Sequence, residues 1–170
     1  MAAVTGTTGV WTNNDGLNIK FGPESARPAV EGSPKQAGLT KTYEFLLDFA
    51  ELPTTATPER FLNRVPGVII PAGVLLQSAK IVTLSGFASS GSATLSLGLA
   101  QPDGTTINAT GIDATVAKTA IDTVGETVVC DGALIGTILA ADACVTVTVG
   151  TADFNAGKGK LLIEVLHQSL

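Results

Sequence analysis

The sequence predicts an all-β protein, a jelly-roll-like antiparallel β-sandwich preceded by an extended N-terminal arm. Three observations carry that expectation. Apolar residues alternate with small polar ones at period two: Leu95, Leu97 and Leu99 against Thr94, Ser96 and Gly98, then Val145, Val147 and Val149 against Thr146 and Thr148. Short apolar runs are separated by turn chemistry, at Ser89 to Ser92, at Pro102-Asp103-Gly104 and at Asp131-Gly132. Helical period is found in one stretch at most. About eight short strands so spaced make a sandwich or barrel rather than a parallel sheet with crossover helices. Long excursions at 50 to 67 and 105 to 125 favour the jelly roll. An immunoglobulin-like sandwich is the second choice.

Taken in order, residues 1 to 41 form the arm and residues 42 to 170 the sandwich domain. The arm holds six glycines and three prolines with little apolar periodicity, so it does not make a compact domain of its own. Within it, Trp11, Leu17, Ile19 and Phe21 flank Asn14 to Gly16, which suits a short hairpin. A disordered tail is the plainer reading; the Trp and its apolar neighbours favour an arm that orders by lying on something.

Thr42 to Phe49 is the first strand, with Tyr43, Phe45, Leu47 and Phe49 on one face and Glu44 and Asp48 on the other. Leu52 to Pro66 is a connection in which Pro58 to Arg64 makes one helical turn. Val68 to Ile70 is a short strand entering a tight turn at Pro71 to Gly73.

The stretch from Val74 to Ala100 reads as a hairpin across the Ser/Gly turn, with Ile81, Val82, Leu84 and Phe87 on its first strand. No charge falls between Lys80 and Asp103, about the length a membrane helix needs. Its Ser, Thr and Gly content and its period of two exclude that reading. Ile112 to Ile121 is the one candidate helix, capped by Asp113 with Ile112, Val116, Ala117 and Ile121 along a face. Thr127 to Cys130, Ala133 to Leu139 and Cys144 to Val149 are further strands. Asn155 to Gly159 then turns the chain into a last strand, Leu161 to Leu166.

Charged residues make up 15% of the 170, well below the roughly 25% of an average soluble domain. Low charge with abundant Thr, Ser, Ala and Gly suits a surface covered by neighbouring subunits, although a plain Thr-rich β surface has the same composition. The net charge of −5 and scattered basic residues argue against nucleic acid as a partner. Residues 65 to 157 hold Lys80 and Lys118 against seven acids, whereas residues 1 to 41 hold four basic groups against three. Arm and body therefore differ in sign. Cys130 and Cys144 are too far apart for a C-x-x-C motif and read as buried free thiols rather than a disulfide. MAAVTGTTGV lacks the basic and apolar regions of a signal peptide, so synthesis and residence in a cytoplasm are expected, with no membrane partner.

No catalytic constellation stands out. His167 lies near the C-terminus with no Ser or Cys beside it and reads as a surface residue in a fraying tail. NAGKGK at 155 to 160 lacks the first Gly and the Ser/Thr of a phosphate loop and leads into a strand. GFASSG at 86 to 91 has its serines misplaced for a nucleophile elbow. Asp103, Asp113, Asp122, Asp131, Asp142 and Asp153 recur in expected loops without the D-x-D-x-D spacing of a calcium loop, and read as turn acids. A carboxylate pair for glycoside cleavage stays open, but one Trp and one Tyr furnish a poor sugar groove. Asn108-Ala109-Thr110 is a sequon with meaning only on a secretory route. Neither enzyme activity nor a cofactor nor a metal is expected.

The succession TYEFLLDFAELPT, VIIPAGVLLQSAKIV, GSATLSLGLAQPDGTT, DGALIGTIL and TADFNAGKGKLLIEVL, over about residues 42 to 166, resembles small virion structural proteins of tailed bacteriophages, of the capsid decoration (cement) type. That resemblance implies a homotrimeric jelly roll made in the host bacterial cytoplasm and bound to the outer capsid surface, where it bridges major capsid proteins. It implies contact residues in the arm, with Trp11, Leu17, Ile19, Phe21 and Arg27 as candidates, and no catalytic residues. The alternative is a tail or fibre sandwich that binds host-surface glycans, with a hydrolase on the same scaffold behind it.

Overall fold

In the computed structural model, residues 9–12, 18–21, 40–55, 59–61 and 68–167 are described. The chain divides into two units, Met1–Leu39 and Thr40–Leu170. In the first, β1 (Gly9–Thr12) pairs antiparallel with β2 (Asn18–Phe21), Trp11 opposite Ile19 and Gly9 opposite Phe21. The strand pair expected around Asn14 to Gly16 is present.

The second unit is, among the described residues, an antiparallel sandwich of eight strands. β3 (Thr40–Asp48), β4 (Glu59–Phe61), β5 (Val74–Ser89), β6 (Thr94–Ala100), β7 (Thr106–Ala117), β8 (Thr127–Val129), β9 (Cys144–Gly150) and β10 (Phe154–His167) follow in order, with one 3-10 turn at Lys118–Ala120. One sheet runs β3-β10-β5-β8 and the other β4-β9-β6-β7. The pairs are nested: β6 with β7, β5 with β8, β4 with β9, β3 with β10. Alternation decides the core. Phe45, Leu47, Leu76, Ile81, Leu161, Ile163 and Val165 of the first sheet meet Leu95, Leu97, Leu99, Val145, Val147 and Val149 of the second in one continuous cluster.

Several expectations are corrected. β5 and β6 belong to different sheets, so the Ser/Gly turn carries the chain across the sandwich and does not close a hairpin. Of the apolar residues expected on the first strand of that hairpin, Ile81 and Phe87 are buried while Leu84 is 46% exposed. Ile112 to Ile121 is no helix: Ile112, Thr115 and Val116 are β-branched residues of β7, which pairs with β6 through several bulges. Pro58 to Arg64 is no helical turn either, since Glu59–Phe61 pairs with β9 opposite Thr146 to Thr148. Ala133 to Leu139 and Val68 to Ile70 contribute only isolated bridges, Leu75 with Ile138 and Ile70 with Ala143. Gly136, at φ 81, turns the first of them out of a strand. Finally, Asn155 to Gly159 is bulged strand, part of β10, and Phe49, 36% exposed, has left β3 for a turn.

Thr83 is 1% exposed on the inner face of β5 and its hydroxyl has no hydrogen-bond partner among the described residues. An unpaired buried hydroxyl is unfavourable, and valine has the same shape without it. Thr83→Val is expected to stabilise the fold by about 1 kcal/mol, read as a higher urea midpoint at unchanged m.

Candidate assembly surface

The outer face of the β3-β10-β5-β8 sheet is built by the even-numbered residues of β3 and their partners, because directly opposite residues of antiparallel strands share a face. Register sets two rows across four strands. One reads Leu46, Lys160, Val82, Thr127 and the next Glu44, Leu162, Lys80, Val129. Apolar and charged positions therefore alternate both along and across the sheet. Leu46 is 51% and Val129 74% exposed.

The charges of β3 and β10 cancel laterally. Lys158 Nζ lies 2.8 Å from Asp48 Oδ2, and Lys160 Nζ lies 2.6 Å from Glu44 Oε1. The Lys158 hydrogen bond, helped by the Ala50 N–H, holds the Asp48 carboxyl below its ordinary range, and Asp48 in turn raises Lys158. Ser78 Oγ donates to Glu164 Oε2 at 2.9 Å. What remains is a nearly neutral face dotted with aliphatic side chains, chemically suited to protein contact.

Elsewhere several acids hold turns. Asp103 Oδ1 accepts the Thr105 N–H at 2.9 Å, Asp142 Oδ1 the Ala72 N–H at 2.9 Å, and Asp153 Oδ1 the Thr55 N–H at 2.6 Å. Among the described residues no three His, Cys, Asp or Glu side chains gather where a metal ion would be held. A depression of 310 Å³ between the β5–β6 turn and the end of β7 is lined by Gly91, Ser92, Ala93, Thr94, Ala117, Lys118 and Thr119. No helix of the described residues is long and apolar enough to cross a membrane.

Asp113 lies on β7 rather than at a helix start; it is 5% exposed and accepts the Thr115 N–H at 3.0 Å. Burial raises its pKa above the ordinary value, with Asp131 adding to the effect. Its neighbour Cys130 is pushed up to about 12, first by burial and then by the Asp113 charge. Cys130 and Cys144 are both free and buried, as expected. Because the folded state holds the Asp113 proton more tightly than the unfolded chain, the unfolded carboxyl ionises first. Stability is lost as pH rises from 3.8 through the raised value, and is fully kept below 3.8. Asp113→Asn keeps the acceptor for Thr115 and removes the charge. It is expected to raise the thermal midpoint by about 2 °C at pH 7 and to lose that advantage below pH 4, measured by melting at both values.

The candidate contact residues of the arm are not gathered into a site by these observations. Trp11, Ile19 and Phe21 fall on β1 and β2, while Leu17 and Arg27 lie outside the described residues. His167, expected in a fraying tail, ends β10 opposite Val74, half-buried. The exposed aliphatic residues Leu46, Leu84 and Val129 were not anticipated. A signal exists for the first: Phe45, Leu46 and Leu47 are consecutive, so one of them has to face outward in a strand.

No family model matches the chain, and no curated protein matches it in sequence. Two solved structures are similar in fold. A chain of the acid-stable capsid of Helicobacter pylori bacteriophage KHP30 superposes with a TM-score of 0.54 at 13% identity, covering 78% of this chain and 90% of that one. A chain of the capsid of Ralstonia phage GP4 superposes with a TM-score of 0.54 at 14% identity, covering 81% and 90%. In both cases the aligned part is a larger share of the other chain, so each neighbour is itself a small chain, shorter than this one.

Proposed function

We propose that the chain is a structural protein of a tailed-phage virion, a capsid decoration or cement protein on the outer surface of the assembled head. The observation that carries this reading is the likeness in fold to most of two small chains, each from a phage capsid. The nesting of β6–β7 inside β5–β8, β4–β9 and β3–β10 supports a jelly roll, the wrapping of eight strands into two sheets. The turn-holding role of the acids supports a protein that acts by binding, without catalysis or cofactor. Its partners in this reading are the major capsid protein and further copies of itself, with Trp11, Leu17, Ile19, Phe21 and Arg27 of the arm reaching a neighbour.

A protein that binds the assembled shell and not its free subunits stabilises the shell by mass action. Purified full-length chain is expected to co-sediment saturably with undecorated shells of the source virus, and a chain lacking residues 1 to 39 to bind them at least about tenfold more weakly. Absence of binding by both forms sinks the head assignment; binding of isolated protein to bacterial surface polysaccharide instead establishes the tail or fibre reading.

A further inference from the structure

We propose that the outer edge of β3 is a pairing surface for a second copy of this chain, the two β3 strands joining antiparallel about a two-fold axis at Tyr43. The four strand edges of the sandwich are unequal. β4 and β8 are three residues long, and β7 is interrupted by bulges where it pairs with β6. β3 alone is both long and regular: nine consecutive residues pair with β10 from Lys158 opposite Asp48 to Leu166 opposite Thr40, without a register shift. Long, flat edges are normally protected by proline, bulges or unpaired charge, because their free backbone groups recruit strands. β3 contains no proline, Glu44 and Asp48 are neutralised by Lys160 and Lys158 of the strand behind, and the exposed Lys41 near its start is the one further charge on the strand, opposite Phe45 in the self-paired register.

Register fixes which groups are free. The Phe49 N–H bonds the Gly157 carbonyl, so the odd-numbered residues of β3 exchange hydrogen bonds with β10 and the even-numbered ones point away. Among the described residues, the N–H and C=O groups of Thr40, Thr42, Glu44 and Leu46 accordingly face an empty edge, and all four residues are exposed. The next in the series, Asp48, has already turned its carbonyl to the N–H groups of Glu51 and Leu52.

Self-pairing centred on Tyr43 puts Thr42 opposite Glu44 of the second copy and Thr40 opposite Leu46. Every one of those free donors and acceptors is then used, in both copies, and none is left over. No like charges fall directly opposite. Tyr43 meets its own mate at the closely spaced, non-hydrogen-bonded position, where aromatic cross-strand pairs are favourable. Shifting the axis to Glu44 places two carboxylates face to face, and an axis at Thr42 or Phe45 leaves Leu46 or Thr40 opposite residues outside β3, so Tyr43 is the centre at which all four free positions pair with one another. This complementarity, complete in the chain's own edge, is what assigns the second copy rather than a foreign strand.

The test uses the full chain. Sedimentation equilibrium is expected to show a reversible dimer in the micromolar range, and Thr42→Pro, which removes an outward donor without touching β10, to raise the dissociation constant about tenfold or more with an unchanged far-UV spectrum. Tyr43→Cys is expected to give a covalent dimer under mild oxidation, since opposite Cα atoms at such a position lie within disulfide reach. Exposed Thr115→Cys on β7 serves as a control that gives no covalent dimer under the same oxidation. A chain monomeric throughout that range, or a dimer unmoved by Thr42→Pro with no Tyr43→Cys cross-link, overturns the proposal. Because shell binding is read separately, a β3 dimer that ignores shells refutes only the capsid reading, and a shell-binding monomer refutes only this one.

Discussion

Phe87→Ala is expected to destabilise the fold by about 3–5 kcal/mol, seen in urea as a large drop in midpoint. The Phe87 ring is 2% exposed and meets Phe154 edge to face, centroids 5.5 Å apart at 75°. β10 passes directly over it. Gly157, at φ 125, and Gly159 bring bare backbone against the ring; a Cβ at Gly157 would strike Phe87 itself, and one at Gly159 would lie 3.3 Å from its Cε2. Removing the ring thus leaves a cavity under a bulged strand whose Gly157 and Gly159 have no side chain to fill it. Phe87→Leu refills part of that space and is expected to recover roughly half of the loss.

Gly98→Val is expected to cost about 3 kcal/mol or more, enough to abolish soluble expression in a marginal domain. Gly98 is in the middle of β6, between Thr146 of β9 and the irregular part of β7. Between the pairs Leu97–Asp113 and Leu99–Asn108, β7 carries extra residues that fold over Gly98. A Cβ there would land on the carbonyl of Ala109 and the backbone of Asn108. Those are main-chain atoms and do not rotate away, so the bulge has to open or β6 has to leave its sheet. A proteolysis time course on the variant should show early cleavage within 106 to 113, a site protected in the parent chain.

The count of eight sandwich strands was legible in the sequence, but two of the eight were reached by cancelling errors. Val68 to Ile70 and Ala133 to Leu139 look like strands because they are apolar, yet they supply one bridge apiece. Glu59–Phe61 and Thr106–Ala117 are strands that proline and a loose helical period concealed. Position in a sheet is set by the partner strand, and a partner some 90 residues away leaves no local mark. The glycines of NAGKG mislead in the same manner: a run that usually makes a turn here lets a strand cross an aromatic ring.

The assembly surface was less legible than the fold. Composition pointed to covered surface without saying which part. The run Phe45-Leu46-Leu47 fixes that one leucine faces outward, but its place beside Lys160 and Val82 follows only from the register of β10 and β5.

By itself the sequence determined what depends on near neighbours along the chain. Period-two alternation made the class all-β, Pro102-Asp103-Gly104 made the turn between β6 and β7, and the pairing of β1 with β2 was expected from the local sequence. Only the tertiary structure decided that β5 and β6 part into different sheets, that β3 is left with a free regular edge, and that its acids are answered by Lys158 and Lys160. The physical reason is that backbone pairing satisfies any strand equally well, so the choice among partners rests on how the buried faces of all eight close over a single core.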